Sequence, residues 1–178
     1  MTAPKKPTLL LLHGTGGTEH DLIPLASRID PEANVLSVRG NVLENGMPRF
    51  FRRLSEGVFD EAAEKYSFDR HNIVAIGYSN GANIAGSLLF HYSDALAGAI
   101  LHHPMVPRRG VKLPDLTGKN VFIGAGTNDP ICSPEESEEL KSLLENAGAN
   151  VELFWDNMGH QLTMREVEAA SAWFTSNY

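Results

Sequence analysis

Residues 73–83 read Ile73-Val74-Ala75-Ile76-Gly77-Tyr78-Ser79-Asn80-Gly81-Ala82-Asn83, an apolar, β-branched run that passes through a Gly-x-Ser-x-Gly turn into a helical pattern. Strand, turn and helix in that order are the setting in which this motif presents a serine on a sharp, strained elbow. The two glycines are required sterically, because side chains two residues either side of the serine would collide with neighbouring backbone. The turn lifts the Ser79 hydroxyl above a sheet edge at a helix N-terminus, where backbone amides and the helix dipole favour a developing negative charge. A chance Gly-Ser-Gly loop is the competing reading, and the flanking pattern argues against it.

The alternation around the elbow extends along the chain. Short apolar runs at residues 8–13, 34–38, 72–77, 97–102, 120–125 and 151–155 are the expected strands. Amphipathic stretches at 20–28, 59–66, 80–92, 134–146 and 162–176 are the expected helices, with Leu140, Leu143 and Leu144 at helical spacing and Ser133-Pro134-Glu135-Glu136 as a helix start. Such βαβ units build an α/β fold, a mostly parallel sheet of about six strands with helices on both faces. Nothing reads as a linker or a repeat, so residues 1–178 are expected to form one domain without a large cap. Residues 39–57, which carry the cluster Arg49-Phe50-Phe51-Arg52-Arg53, show no clear period and read as a long functional loop.

Composition narrows the function classes. With 42% hydrophobic, 21% charged and 8% aromatic residues, the usage is that of an ordinary soluble globular protein. Twenty-two acidic against 15 basic residues give a formal net charge of −7, which opposes binding to nucleic acid or an anionic membrane. Cys132 is alone, so no internal disulfide forms and a reduced cytoplasmic location is the default. Lys5 and Lys6 precede residues 9–12 in the manner of a secretory leader, but that apolar run is too short and flows straight into His13-Gly14-Thr15. No run approaches the roughly 18 apolar residues of a membrane span.

An elbow serine needs a base and an orienting acid. In hydrolases of this kind the chain order is serine, acid, histidine. His91, His102, His103 and His160 all follow Ser79, and only His160, in Asn157-Met158-Gly159-His160, also follows an acid at a strand end. Asp129, in Gly126-Thr127-Asn128-Asp129-Pro130, is favoured over Asp156, with Asp94 and Asp115 further behind, because its turn aims a side chain back across the C-terminal sheet edge. A tetrahedral oxyanion also needs preorganised donors. The backbone N–H of Asn80 is one, and the glycine-rich turn His13-Gly14-Thr15-Gly16-Gly17 supplies the other, Thr15 ahead of Gly16. That turn lacks the lysine of a P-loop.

Phe50 and Phe51 are expected to wall an acyl or aryl pocket together with Gly16, Met105, Val106 and Met158, although simple packing is an equal alternative for the residues after the fourth strand. Arg49, Arg52 and Arg53 are expected to pair with acids such as Glu44 or Glu56; a bolder reading has one of them grip a substrate carboxylate. His102 and His103, adjacent on an extended strand, point to opposite faces and so are read as core or rim residues that cannot together hold a metal. Cys132, three residues after Asp129, reads as a buried, inert thiol, with a redox-sensitive one as the alternative.

With these elements in order, the chain resembles the α/β-hydrolase superfamily, and within it the small phospholipase/carboxylesterase family that includes acyl-protein thioesterase-like and dienelactone hydrolase-like enzymes. It is most similar to a bacterial subgroup of carboxylesterase-like hydrolases associated with hydroquinone or copper stress. The strings that carry the resemblance are Leu12-His13-Gly14-Thr15-Gly16-Gly17, Arg39-Gly40-Asn41, Gly46-Met47-Pro48-Arg49-Phe50-Phe51, Gly77-Tyr78-Ser79-Asn80-Gly81-Ala82-Asn83, Asn128-Asp129-Pro130 and Gly159-His160-Gln161-Leu162. The resemblance implies Ser79, Asp129 and His160 as catalytic triad, Thr15 and Asn80 as oxyanion donors, and no metal or cofactor. It departs in two places: there is no room for the antiparallel hairpin that often opens the superfamily fold, and residues 59–67 supply less helix before the elbow than relatives commonly carry. The expected activity is that of a cytoplasmic serine carboxylesterase or thioesterase on small short-chain acyl esters, whose partner is the ester itself, with a homodimer left open. Its alternatives are a dienelactone or lactone hydrolase acting on a carboxylate-bearing substrate, or a non-catalytic ligand-binding protein of the same fold.

Overall fold

The computed structural model describes residues 6–50 and 68–178. The chain order is β1 (Thr8–Leu12), α1 (Ile23–Ile29), β2 (Asn34–Val38), β3 (Val42–Glu44), β4 (Met47–Arg49), β5 (Ile73–Tyr78), α2 (Asn80–His91), β6 (Gly98–His102), β7 (Asn120–Gly126), α3 (Pro134–Asn146), β8 (Asn150–Asp156) and α4 (Met164–Asn177). Six strands form one sheet in the order β2-β1-β5-β6-β7-β8, and every neighbouring pair is parallel. This is the α/β-hydrolase architecture, with the six strands where the apolar runs place them.

Continuous apolar runs form the inner strands because both sheet faces are covered. All five residues of β1 are buried, and their alternation divides the core in two. Leu10 and Leu12 join Ala82, Ala85 and Leu89 of α2 and Leu140 and Leu144 of α3 on one face. Leu9 and Leu11 join Leu25, Ala26 and Ile29 of α1 and Val167, Ala170, Trp173 and Phe174 of α4 on the other. Each of the Leu, Ile, Val and Phe side chains among these contributes about 1.5–3 kcal/mol by leaving water. Among the described residues no helix is long and apolar enough to cross a membrane.

Two expectations are corrected. The stretch 39–57 is not wholly irregular: β3 and β4 pair as an antiparallel hairpin, Val42 opposite Arg49 and Glu44 opposite Met47. Its turn is Asn45-Gly46, with φ of 51° and 78°, the two left-handed residues of a type I′ turn. Leu43 at 70% and Met47 at 43% exposure explain why no apolar alternation marks the strands. Helix α1 begins at Ile23 rather than residue 20, because Asp21 accepts hydrogen bonds from the Thr18 N–H and hydroxyl in a separate turn and Pro24 opens the helix. The expected helix at 59–66, Phe51, Arg52, Arg53 and Glu56 lie outside the described residues.

After β1 the chain first adds β2 on one side, then crosses to place β5 on the other. The C-terminal ends of β1 and β5 therefore flank the topological switch point, where parallel sheets open a crevice for ligands. The loop 13–17 and the Ser79 elbow leave the sheet there.

Candidate active site

Ser79 sits between β5 and α2 with φ 52° and ψ −111°, a left-handed backbone that costs a non-glycine residue about 1–3 kcal/mol. The flanking glycines make the turn possible. A Cβ on Gly77 would lie 2.5 Å from the Ala82 nitrogen, and one on Gly81 would lie 1.8 Å from the Leu12 carbonyl oxygen. The elbow is held by the Ser79 N–H donating to the His102 carbonyl at 2.9 Å and by the Asn83 N–H donating to the Ser79 carbonyl at 3.0 Å.

His160 Nε2 stands 2.9 Å from Ser79 Oγ, and its Nδ1 lies 2.7 Å from Asp129 Oδ2. The two loops that carry His160 and Asp129 are pressed together: the Asn128 N–H donates to the Met158 carbonyl at 3.0 Å, and a Cβ on Gly126 would sit 2.3 Å from the Gly159 oxygen. The Tyr78 hydroxyl donates to the His160 carbonyl at 2.8 Å and fixes that loop from the elbow side. The other Asp129 oxygen, Oδ1, accepts the N–H groups of Ile131 at 2.8 Å and Cys132 at 3.0 Å. Burial alone would raise the Asp129 carboxyl, but the Cys132 and Ile131 amides, then His160 and His103, hold it below the usual carboxylate range. Asp156, the competing acid, is engaged elsewhere: it accepts from the Thr163 hydroxyl at 2.5 Å and from Arg165 at 3.1 Å, tying down the start of α4.

Comparisons with known proteins place the family and the fold. Residues 38–174 match the model of the dienelactone hydrolase family. A Bacillus subtilis (strain 168) protein named as a hydrolase, MhqD, is 59% identical over 182 residues, covering 93% of this chain and 91% of its own. The chain belongs to the dienelactone hydrolase family. Among solved structures, a Bacillus cereus carboxylesterase is 67% identical with a TM-score of 0.92, covering 97% of this chain and 89% of its own. The YahD structure, determined with malic acid, is 34% identical with a TM-score of 0.88, covering 97% and 94%. As a dienelactone hydrolase family member with these relatives, the protein is an ester hydrolase of the α/β-hydrolase fold.

In this family member the loop 13–17 faces the elbow. The Gly16 N–H is taken by the Pro48 carbonyl of β4 at 3.0 Å, whereas the backbone N–H groups of Thr15 and Asn80 make no hydrogen bond among the described residues. The loop is anchored by buried His13, whose Nε2 accepts the Gly40 N–H at 3.0 Å and whose Nδ1 lies 2.7 Å from the Gly14 carbonyl. Half-buried Phe50 packs its ring 4.6 Å from that of His13, and its N–H donates to Asn80 Oδ1 at 3.1 Å. The Met105 N–H donates to Asn83 Oδ1 at 2.7 Å. Met105 and Met158 are 39% and 40% exposed, while Val106 is buried in the core beneath α2. Phe51 lies outside the described residues.

The expectation that His102 and His103 diverge is overturned. His103 has φ 53°, which ends the strand's alternation and turns its ring to the same side as that of His102. Both meet Glu166 of α4: His102 Nδ1 lies 2.5 Å from Oε1 and His103 Nε2 lies 3.1 Å from Oε2. His103 Nδ1 lies 3.0 Å from Asp129 Oδ2. His102, His103 and Glu166 have relative exposures of 0–1%. Sequence reasoning missed His103 and Glu166 as members of the site. Glu166 follows Thr163 by three residues and reads as a capping-box partner, and Thr163 Oγ1 does accept the Glu166 N–H at 3.2 Å, but the carboxylate turns inward instead of back to the cap.

Ligand atoms of His103, Asp129 and His160 lie within 4.8 Å of one another, the one described trio close enough to hold a metal ion. Both histidine nitrogens converge on the same Asp129 oxygen at hydrogen-bond distance, the arrangement of a shared acceptor. Cys132 is buried, its Sγ lies 3.4 Å from the His103 carbonyl, and burial first, with the Asp129 and Glu136 charges, pushes its thiol up to about 12. Both effects favour the thiol over the nucleophilic thiolate at neutral pH.

Proposed function

We propose that the protein is a serine carboxylesterase acting on small short-chain acyl esters through a Ser79–His160–Asp129 triad and an acyl-enzyme. The reading rests on one observation: His160 bridges Ser79 Oγ at 2.9 Å and Asp129 Oδ2 at 2.7 Å, on a strained elbow at the switch point of the sheet. In this mechanism Ser79 Oγ attacks the ester carbonyl as its proton passes to His160 Nε2. Asp129, ionised and held by two loop amides, fixes the imidazole with its second proton on Nδ1 and stabilises the imidazolium. The N–H groups of Asn80 and Thr15 receive the oxyanion, and the engagement of the Gly16 N–H by Pro48 supports Thr15 as the second donor. His160 then protonates the departing alkoxide, and a water that it deprotonates hydrolyses the acyl-enzyme. Phe50 and the exposed Met105 and Met158 line the approach to Ser79.

A second reading, hydrolysis of a lactone or ester bearing a carboxylate, uses the same machinery. It is supported by the family match and by the structural relative determined with malic acid. One assay separates the two readings. Wild type and Ser79→Ala are compared on p-nitrophenyl acetate through octanoate and on matched esters with and without a free carboxylate. Turnover that falls with acyl length, disappears in the variant and is indifferent to the carboxylate supports the esterase. A preference of tenfold or more for the carboxylate series supports the second reading, and turnover retained in Ser79→Ala overturns both.

A further inference from the structure

We propose that His103 is a resident imidazolium, clamped between the buried carboxylates of Asp129 and Glu166, and that it serves as a positioning residue for the acid arm of the triad. The inference rests on the reading of Ser79, His160 and Asp129 as the reacting set and extends it by two side chains. Both ring nitrogens of His103 face carboxylate oxygens: Nδ1 lies 3.0 Å from Asp129 Oδ2 and Nε2 lies 3.1 Å from Glu166 Oε2. Ionised carboxylates only accept, so both contacts are satisfied together only if both nitrogens carry a proton. The side chains of Asp129 and Glu166 have 0% exposure and that of His103 1%, and two carboxylates without a cation between them would be expensive to bury.

The fold commits itself to this arrangement. His103 is held in a left-handed backbone at φ 53°, locked by its N–H donating to the Gly124 carbonyl at 2.8 Å. Gly124 is also the only residue type that fits beside Glu166, since a Cβ there would lie 1.9 Å from Oε1. Burial opposes the charge on Glu166, but hydrogen bonds from His102 and then His103 bring its carboxyl down to about 2. For His103 too burial works against the cation, and the hydrogen bond and charge of Glu166, then those of Asp129, outweigh it and raise its value.

The other titratable groups facing His103 are few. The ring of Tyr78 from β5 lies 6.0 Å away between centroids and nearly perpendicular, Cys132 places Sγ against the His103 carbonyl at 3.4 Å, and His160 lies 5.2 Å away between ring centroids. Burial raises both the Tyr78 hydroxyl and the Cys132 thiol, so neither carries charge at neutral pH. His102 reaches the cluster through Glu166. With His103 as the cation, the set of Asp129, Glu166 and His103 carries a net charge of −1, that of a lone triad aspartate. The cation thus offsets Glu166 and orients Asp129 Oδ2 without depriving His160 of its counter-charge.

The alternative protonation state, a neutral His103 beside a protonated Glu166, fits the same distances, and two measurements distinguish them. The first is a histidine side-chain 1H–15N correlation spectrum of the wild-type protein, with His103→Gln used for assignment. The proposal requires both His103 nitrogens to be protonated from pH 6 to 8; one bare nitrogen at pH 6 overturns it. The second is the acid limb of kcat/KM against pH. A unit charge about 5 Å from the general base moves that limb by about two pH units at an effective dielectric of about 20. His103→Gln, which removes a positive charge, shifts it upward. Glu166→Gln, which removes a negative one, shifts it downward. The double variant returns it to within about 0.3 unit of wild type if the two charges compensate. No shift in either single variant, or shifts in the same direction, overturns the proposal, whereas turnover retained in Ser79→Ala would instead overturn the underlying triad.

Discussion

At Asp129 four donors converge on two oxygens, two loop amides on Oδ1 and two imidazoles on Oδ2, so the carboxylate is ionised and fixed. Asp129→Asn replaces an acceptor with a group that must donate at one position. The wrong tautomer of His160 follows, and kcat is expected to fall by about 10^4-fold with the fold retained, as steady-state kinetics and circular dichroism would show. Asn80 has two separable groups: its N–H, the proposed oxyanion donor, and its side chain, which holds the Phe50 amide. Asn80→Ala keeps the first and loses the second, so KM for acyl esters is expected to rise several-fold with kcat little changed. The juxtaposition of Ser79, Asp129 and His160 was legible in the sequence because the elbow carries its own steric signature and because strand order restricts which acid and which histidine can reach it. His103 and Glu166 were not, since they are 63 residues apart and nothing local distinguishes a buried glutamate from a helix-capping one.

Helix and strand boundaries were readable where burial on both faces leaves continuous apolar runs, as in β1, β5 and β7. The β3–β4 hairpin was not read because its exposed strands lack alternation, although Asn45-Gly46 is a strong hairpin signal. That hairpin is coupled to chemistry through the Gly16 N–H bond to Pro48. Gly46→Val places a β-branched side chain at φ 78°, at an expected cost of about 1–2 kcal/mol to the turn. Hydrogen exchange at Gly16 and across the hairpin should accelerate about tenfold, with β1 and β5 unchanged. Protection at Gly16 equal to wild type would show that the loop is held by other means.

Over the whole molecule, the buried cluster at the sheet edge makes stability depend on pH from two sides. Glu166, with its carboxyl at about 2 against an ordinary 4.5, contributes stability that is present above about pH 4.5 and is lost as pH falls toward 2. Asp129 acts in the same direction. His103 is raised above its ordinary 6.5, so its contribution is complete below that pH and is lost as pH rises through its folded value. The urea midpoint is therefore expected to be highest between about pH 5 and 6.5 and to fall on both flanks, and Glu166→Gln is expected to flatten the alkaline decline by removing the partner that holds the His103 proton.

The central claim, that Ser79 is the nucleophile, is tested most directly by peptide mapping after exposure to a fluorophosphonate. A single phosphonyl adduct on the peptide carrying Ser79, absent from Ser79→Ala and suppressed by prior incubation with an acyl ester, is the predicted result. A folded protein that takes up no label, or takes it up on another residue, would contradict the account.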